Sequence, residues 1–183
     1  MLVERFADFA HPVLDLPLVR RTRRNHGLEH ATIHILSDRV KNLRMAGRSG
    51  ESGFILLGEA PTEQVEAAVR DALRRMRAGE HGLAIHPNCG TNLVTTGLLA
   101  SVAAMLGLSG ANRRDAWNRL PTVMLLIMIT LIFSPALGMS LQKHLTTDGD
   151  PADLEVISIT RSQMQTPVSS SPMTIHKVVT HSS

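Results

Sequence analysis

The sequence predicts an α+β soluble N-terminal domain, then a hairpin of two transmembrane helices, then a C-terminal β-hairpin or tail. Charged residues make up 19% of the 183 and are concentrated before Glu80, whereas the stretches flanking Trp117 are almost entirely apolar. Between residues 20 and 88, segments with helical and strand-like spacing of apolar residues alternate. We divide the chain into an amphipathic segment 1–19, an α+β domain 20–88, two transmembrane helices within 89–142, and strands or a tail over 143–183.

The N-terminal segment combines large apolar side chains with two prolines, Pro12 and Pro17, that interrupt a regular helix. We expect a short helix and turn here, lying on the membrane interface or covering the domain core. Glu4 and Asp8 break the apolar run that a secretory signal peptide requires. We therefore expect no export signal and a cytoplasmic N-terminal domain.

Five elements are predicted in the α+β domain from hydrophobic periodicity and from residues typical of caps and turns. They are a helix over 25–37 with Asn25 as its N-cap, strands over 43–48 and 54–58, a helix from Thr62 to a stop at Gly79, and a short strand over 83–86.

Two apolar segments predict membrane spans, at about 90–111 and 120–142. A helix of about 20 residues, rising 1.5 Å per residue, crosses the hydrocarbon layer of a bilayer. Helices buried in a soluble core are the alternative, but a soluble domain this small could hardly enclose both. We expect an integral membrane protein.

The loop predicted between the spans, residues 109–119, carries three arginines, with Trp117 placed as an interfacial aromatic residue. Basic residues also flank the other ends of the two spans, so the positive-inside rule does not decide the orientation. The missing export signal favours both termini in the cytoplasm.

The C-terminal segment predicts strands over 154–161 and 173–180, separated by a Pro/Ser-rich stretch, 166–172. A β-hairpin that rejoins the N-terminal sheet is one interpretation, and an unstructured tail is the other.

The first candidate site is His26-Gly27-Leu28-Glu29-His30, with His34 one turn later. On a helix the three histidines form one stripe, and imidazoles at i and i+4 can reach one metal ion. Glu29 lies beside the pair, where it could act as a general base. The alternative is an exposed polar helix face that happens to be rich in histidine.

The second candidate site is His86-Pro87-Asn88-Cys89, directly before the first span. Cys89 would lie near the N-terminus of that helix, where the dipole favours a thiolate. Zinc prefers thiolate and imidazole ligands. The alternatives are a turn histidine and a small packing cysteine.

The two motifs together, His-x-x-Glu-His-Ala-Thr-Ile-His and then His-Pro-Asn-Cys-Gly-Thr-Asn before paired spans, resemble an uncharacterised bacterial membrane-protein family, domain of unknown function 6391. They are also distantly similar to bacterial membrane proteins described only as predicted metal-dependent enzymes. This resemblance covers roughly residues 20–160. It implies a membrane protein with a metal site at His26, Glu29, His30, His86 and Cys89, and it implies no particular reaction.

A related signature is that of the inverzincin metalloproteases, which share His-x-x-Glu-His. No distal glutamate ligand can be assigned in this sequence, which puts proteolysis in doubt.

Three functional hypotheses follow. The first is a membrane-anchored zinc protein in which His26, His30 and either His86 or Cys89 bind the ion, and which acts as a hydrolase if a coordination position stays open. If both His86 and Cys89 bind, the site is closed and structural. The second is a non-enzymatic membrane adaptor or assembly subunit. The third is a redox or metal-handling protein that uses Cys89.

Composition restricts the partners. The chain has no tyrosine, one tryptophan and four phenylalanines, so aromatic platforms for stacking bases are scarce and nucleic-acid binding is not expected. With one cysteine, no intrachain disulfide can form. The expected partners are the lipid bilayer and a second copy or another membrane protein.

Overall fold

The computed structural model describes residues 2–165 and 172–183. Most of the predicted Pro/Ser-rich stretch 166–172 therefore lies outside the described residues. The described residues form five α-helices and four strands. These are α1 Leu2–Leu14, α2 Pro17–Arg39, β1 Ala46–Gly50, β2 Gly53–Leu57, α3 Thr62–Arg77, α4 Gly90–Leu108, α5 Arg113–Leu141, β3 Glu155–Met164 and β4 Met173–His181. The chain divides into two compact units, one of residues 1–86 with 143–183 and one of residues 87–142.

The first unit is built on a four-stranded antiparallel sheet in the order β1-β2-β4-β3. β4 pairs with β2 through neighbours such as Ile55 and Lys177, and β3 pairs with β4 as a hairpin. The C-terminal strands therefore rejoin the N-terminal sheet, and the interpretation of this segment as an unstructured tail was wrong.

Helices α2 and α3 cover one face of this sheet. Along β4 the alternate residues Thr174, His176, Val178 and Thr180 are buried, as expected for a sheet with one covered face. The predicted apolar face of α3 is confirmed, because Val65, Ala68, Val69, Ala72 and Met76 are all buried. The first unit is thus a two-layer α+β structure with its own hydrophobic core.

Helix α2 begins at Pro17, well before the predicted start, because proline is favoured at the first helical position. Asn25 is therefore not an N-cap. It lies inside the helix and is completely buried, and its amide donates to the carbonyl oxygens of Gly50 and Glu51. Its own oxygen accepts from the Thr180 hydroxyl at 2.6 Å. Asn25 thus fastens α2 to the β1–β2 turn and to β4.

The predicted strand over 83–86 was wrong, since a short 3-10 helix, His81–Ala84, occupies this region. The carbonyl groups of Ala84 and Ile85 accept hydrogen bonds from imidazoles of α2. These bonds satisfy carbonyl groups that a strand would have paired with a neighbouring strand.

The second unit is the helical hairpin of α4 and α5. Asn112 caps α5 by accepting from the amides of Arg114 and Asp115. The arginines and Trp117 predicted in a loop over 109–119 therefore lie in the first turns of α5. Gly110, at φ +66°, follows the end of α4 at Leu108, which explains why this helix stops before the predicted residue 111.

Polar and small residues join α4 to α5. The Gln142 amide donates to Asn92 Oδ1 at 2.8 Å, and the hydroxyls of Thr96 and Ser134 share a hydrogen bond of 2.8 Å. A Cβ atom on Gly138 would overlap the Asn92 side chain, so the two helices approach closely at this glycine.

Both helices of the hairpin are long and apolar enough to cross a membrane. In the most apolar stretch of each helix only 11% is buried. Large side chains such as Leu93, Ile132 and Phe133 are mostly exposed. A helix in the core of a soluble protein would show the opposite pattern, with its apolar side chains buried.

We predict that Gly138→Val destabilises the hairpin by about 1 to 3 kcal/mol, because the added side chain would force α4 and α5 apart. The measurement is the unfolding midpoint of the purified chain in detergent. Gly97→Val is the matched control, since a Cβ atom on Gly97 meets nothing within 4 Å. Equal effects of the two substitutions would contradict the helix packing described.

Candidate metal centre

The histidine stripe of α2 is largely buried. His30 is 2% exposed and Glu29 is 4% exposed, while His26 and His34 are partly buried on the same helix. The apolar residues predicted on the other side of the helix, Leu28, Ala31 and Ile35, lie in the core. The alternative of an exposed, polar, histidine-rich face is therefore wrong.

Main-chain carbonyls fix the tautomers of two of these histidines. His26 Nδ1 lies 2.9 Å from the Thr146 oxygen, and His30 Nδ1 lies 2.7 Å from the Ala84 oxygen. A carbonyl oxygen can only accept, so each Nδ1 carries the hydrogen and donates it. In a neutral ring Nε2 then keeps the lone pair that a metal ion requires. A hydrogen bond of this kind, made by the ring nitrogen that does not bind the metal, orients most metal-binding histidines.

The imidazole ring of His86 lies close to those of His30 and His34, both on α2. The ring centroid of His86 lies 4.6 Å from that of His34 and 5.7 Å from that of His30, and the rings of His26 and His30 are 4.4 Å apart. His34 Nε2 donates to the Ile85 carbonyl at 2.9 Å. Burial, and next the neighbouring His34 and His30, lowers the pKa of His86 to about 4. His86 is therefore neutral at pH 7 and able to offer a lone pair.

Glu29 is held by strand β1. The Ser49 hydroxyl donates a hydrogen bond to Glu29 Oε2. A Cβ atom on Gly47 would overlap the Glu29 carboxyl group, so only glycine leaves room for this side chain. Sequence reasoning missed both Ser49 and Gly47. The available signal was a glycine inside a strand, which often marks the close approach of another group.

Cys89 is the N-cap of α4, and its Sγ accepts from the Thr91 amide at 3.4 Å. The side chain is 6% exposed, and it follows His86 by three residues. His26, His30 and Cys89 form a group of side chains that could hold a metal ion. These three residues are among the five that the sequence predicted, and the other two, Glu29 and His86, lie outside this group. The carbonyl groups that orient the two histidines were not predicted, because no local pattern reports such long-range partners.

Comparison with known proteins places this chain in a family. The family described as Domain of unknown function (DUF6391) matches residues 21–159. The chain belongs to this family. An uncharacterised protein of Picosynechococcus sp. (strain ATCC 27264 / PCC 7002 / PR-6) is 33% identical over 149 residues, which cover 76% of this chain and 71% of the relative. No solved structure matches significantly.

We predict that the metal-free protein loses stability as the pH falls from about 6.5 toward 4. The folded state holds the pKa of His86 near 4 and also lowers that of His176 through burial, whereas both histidines in the unfolded chain titrate near 6.5. Between these values the unfolded state binds more protons, so acidification favours unfolding, and above pH 6.5 these groups add no pH dependence.

The measurement is the unfolding midpoint in chelator at a series of pH values. His86→Gln should reduce the loss of stability that accompanies the fall in pH. The loss that remains should come from His176. An unchanged slope in His86→Gln would contradict the burial of a neutral His86.

Proposed function

We propose that this protein is an integral membrane protein that binds zinc through His26, His30 and Cys89 and acts as a metal-dependent hydrolase. One observation carries the proposal. His26, His30 and Cys89 form a group that could hold a metal ion, and each of the two imidazoles donates Nδ1–H to a main-chain carbonyl, so that the lone pair of the neutral ring is on Nε2.

The kinds of donor favour zinc. Two imidazole nitrogens and one thiolate are borderline and soft ligands, which zinc binds readily in tetrahedral sites. Only two residues separate His86 from Cys89, so the Cα atoms of His86 and Cys89 lie at most about 11 Å apart. The Cys89 thiol therefore stays near the histidine rings. The Thr91 amide donates to Sγ, an interaction that stabilises negative charge on the sulfur.

Three protein ligands leave one tetrahedral position for water or substrate, as in catalytic rather than structural zinc sites. A zinc ion in such a site supplies Lewis-acid chemistry and a lowered pKa for a water ligand. Glu29 is the proposed general base, because it adjoins His30 on α2 and lies three residues after His26. The Ser49 hydroxyl would hold its carboxylate in place while it accepts a proton.

The membrane part of the proposal rests on α4 and α5. Their length, apolar composition and exposed apolar side chains are those of lipid-facing helices. We propose the inner membrane of a bacterium, with the first unit on the cytoplasmic side.

We predict that the purified protein binds one equivalent of zinc, and that His26→Gln, His30→Gln and Cys89→Ser each lower its zinc affinity. Loss of an outer-shell partner alone costs about 10- to 100-fold, so loss of a ligand should cost more than about 100-fold. The measurement is competition with a chromogenic chelator, together with elemental analysis of the detergent-solubilised protein.

His34→Gln is the matched control, because His34 belongs to the same stripe but lies outside the group that His26, His30 and Cys89 form. It should retain zinc. A wild-type protein without stoichiometric metal, or a His34→Gln variant as impaired as His30→Gln, would contradict the assigned ligands.

We predict that Glu29→Gln retains zinc but loses hydrolytic activity by about 10²- to 10⁴-fold, the usual contribution of general-base catalysis. The measurement is turnover of a panel of fluorogenic esters and amides by the zinc-loaded protein. Glu51→Gln, at an exposed turn, is the control and should keep full activity. Equal activity of wild type and Glu29→Gln would remove Glu29 from the mechanism.

A non-enzymatic adaptor with a structural metal site is the second candidate. One observation favours it, namely that the imidazole of His86 packs against that of His30 and could close the coordination sphere. In that case His86→Gln would lower zinc affinity as strongly as His30→Gln, and the zinc-loaded protein would hydrolyse none of the substrates.

A further inference from the structure

We infer that α1 is an interfacial helix whose exposed apolar stripe lies in the boundary between lipid headgroups and acyl chains. This inference rests on the membrane placement proposed above. It assigns a binding surface to a segment that the proposed metal chemistry does not use.

The helix has three distinct faces. At 100° per residue, the exposed Phe6, Phe9 and Val13 fall within about 60° of one another. The partly buried face is made of smaller or less exposed residues: Val3, Ala7, Ala10 and Leu14. Opposite the stripe lie the exposed polar residues, which are Glu4, Asp8 and His11. The fold therefore uses the face with small side chains for its own packing and leaves the large apolar ones outside.

The exposure of the stripe is large. Phe9 is 83% exposed, and two further large apolar residues just after the helix, Leu16 at 52% and Leu18 at 57%, are also exposed. Several large apolar side chains left exposed close together in sequence are consistent with a site of association.

The position of α1 in the first unit favours lipid as the occupant. Glu4 Oε1 lies 3.8 Å from His144 Nε2, and His144 follows the last residue of α5, Leu141, by three positions. The first turn of α1 thus lies beside the segment in which the chain leaves α5. If α5 spans a bilayer, its end lies at the bilayer surface, and so does α1.

One basic residue borders the stripe. Arg5 is exposed and flanks the stripe next to Phe9, where a cation can meet phosphate groups. Asp8 and His11, on the opposite face, would lie toward water. An apolar face opposite a charged face is the arrangement by which amphipathic helices lie in the plane of a membrane.

The experiment uses tryptophan quenching in the full chain, reconstituted in phosphatidylcholine vesicles containing phosphatidylglycerol. Trp117 is the only tryptophan, so Trp117→Phe with Phe9→Trp places a single reporter on the stripe. Trp117→Phe with His11→Trp is the matched control on the polar face. Lipids brominated near the headgroup end of the acyl chain quench a tryptophan that contacts them, and acrylamide quenches one in water.

We predict that tryptophan at position 9 is quenched at least about twofold by brominated lipid and is protected from acrylamide. Tryptophan at position 11 should show the reverse. Wild-type Trp117, which is 73% exposed near the start of α5, reports the membrane placement itself.

If Trp117 is not quenched by brominated lipid, the membrane placement and the inference both fail. If Trp117 is quenched but position 9 is quenched only by acrylamide, the inference about α1 alone is overturned. Protection of position 9 from both quenchers would mean that protein, such as a second copy, covers the stripe, and this would also overturn it.

Discussion

The hydrogen bonds from the Nδ1 atoms of His26 and His30 to main-chain carbonyls join α2 to two segments of the first unit that are distant from it in sequence. Their acceptors are Thr146, which follows α5, and Ala84, which precedes α4. One helix therefore holds both of the chain segments that lead into and out of the helical hairpin. The Asp148 amide reinforces this by donating to the Arg23 carbonyl at 3.0 Å. The same bonds that set the histidine tautomers thus also hold these two segments of the first unit against α2.

This arrangement places polar groups where a helix normally buries apolar ones. In α2, Asn25, Glu29, His30 and Thr32 are all buried. Buried polar groups are costly unless they are hydrogen-bonded, and each of these has a partner: two turn carbonyls for Asn25, Ser49 for Glu29, Ala84 for His30, and the Leu28 carbonyl for Thr32. A satisfied polar cluster of this kind is geometrically specific, because each side chain has one arrangement that meets its partners. Residues that depart from simple hydrophobic patterning in this way are expected at functional sites.

The sequence was informative where local chemistry decides the structure. The periodicity of Val65, Ala68 and Val69 predicted α3, and the C-terminal segment predicted two strands, for which a hairpin that rejoins the sheet was one of two interpretations. Prediction from the sequence failed where contacts between distant parts of the chain decide the structure. Asn25 has the side chain of an N-cap but bonds to Gly50 and Thr180 instead, and 83–86 bends into a 3-10 helix whose carbonyls serve histidines far away in sequence. The candidate ligands His26 and His30 could be named because their spacing is local, whereas their orientation depends on contacts that no local pattern records.

The size of the core bears on whether a metal here acts in chemistry or in folding. Small domains that require zinc to fold lack enough apolar residues to form a core of their own. The first unit has a continuous core from α2, α3, β2 and β4, with residues such as Leu36, Leu56 and Met76 completely buried. The hydrogen bonds that orient His26 and His30 also run to protein carbonyls rather than depending on an ion. A site that is preorganised by its own fold can hold its ligands in place while one coordination position stays open, which is the condition that catalysis imposes and that structural support does not.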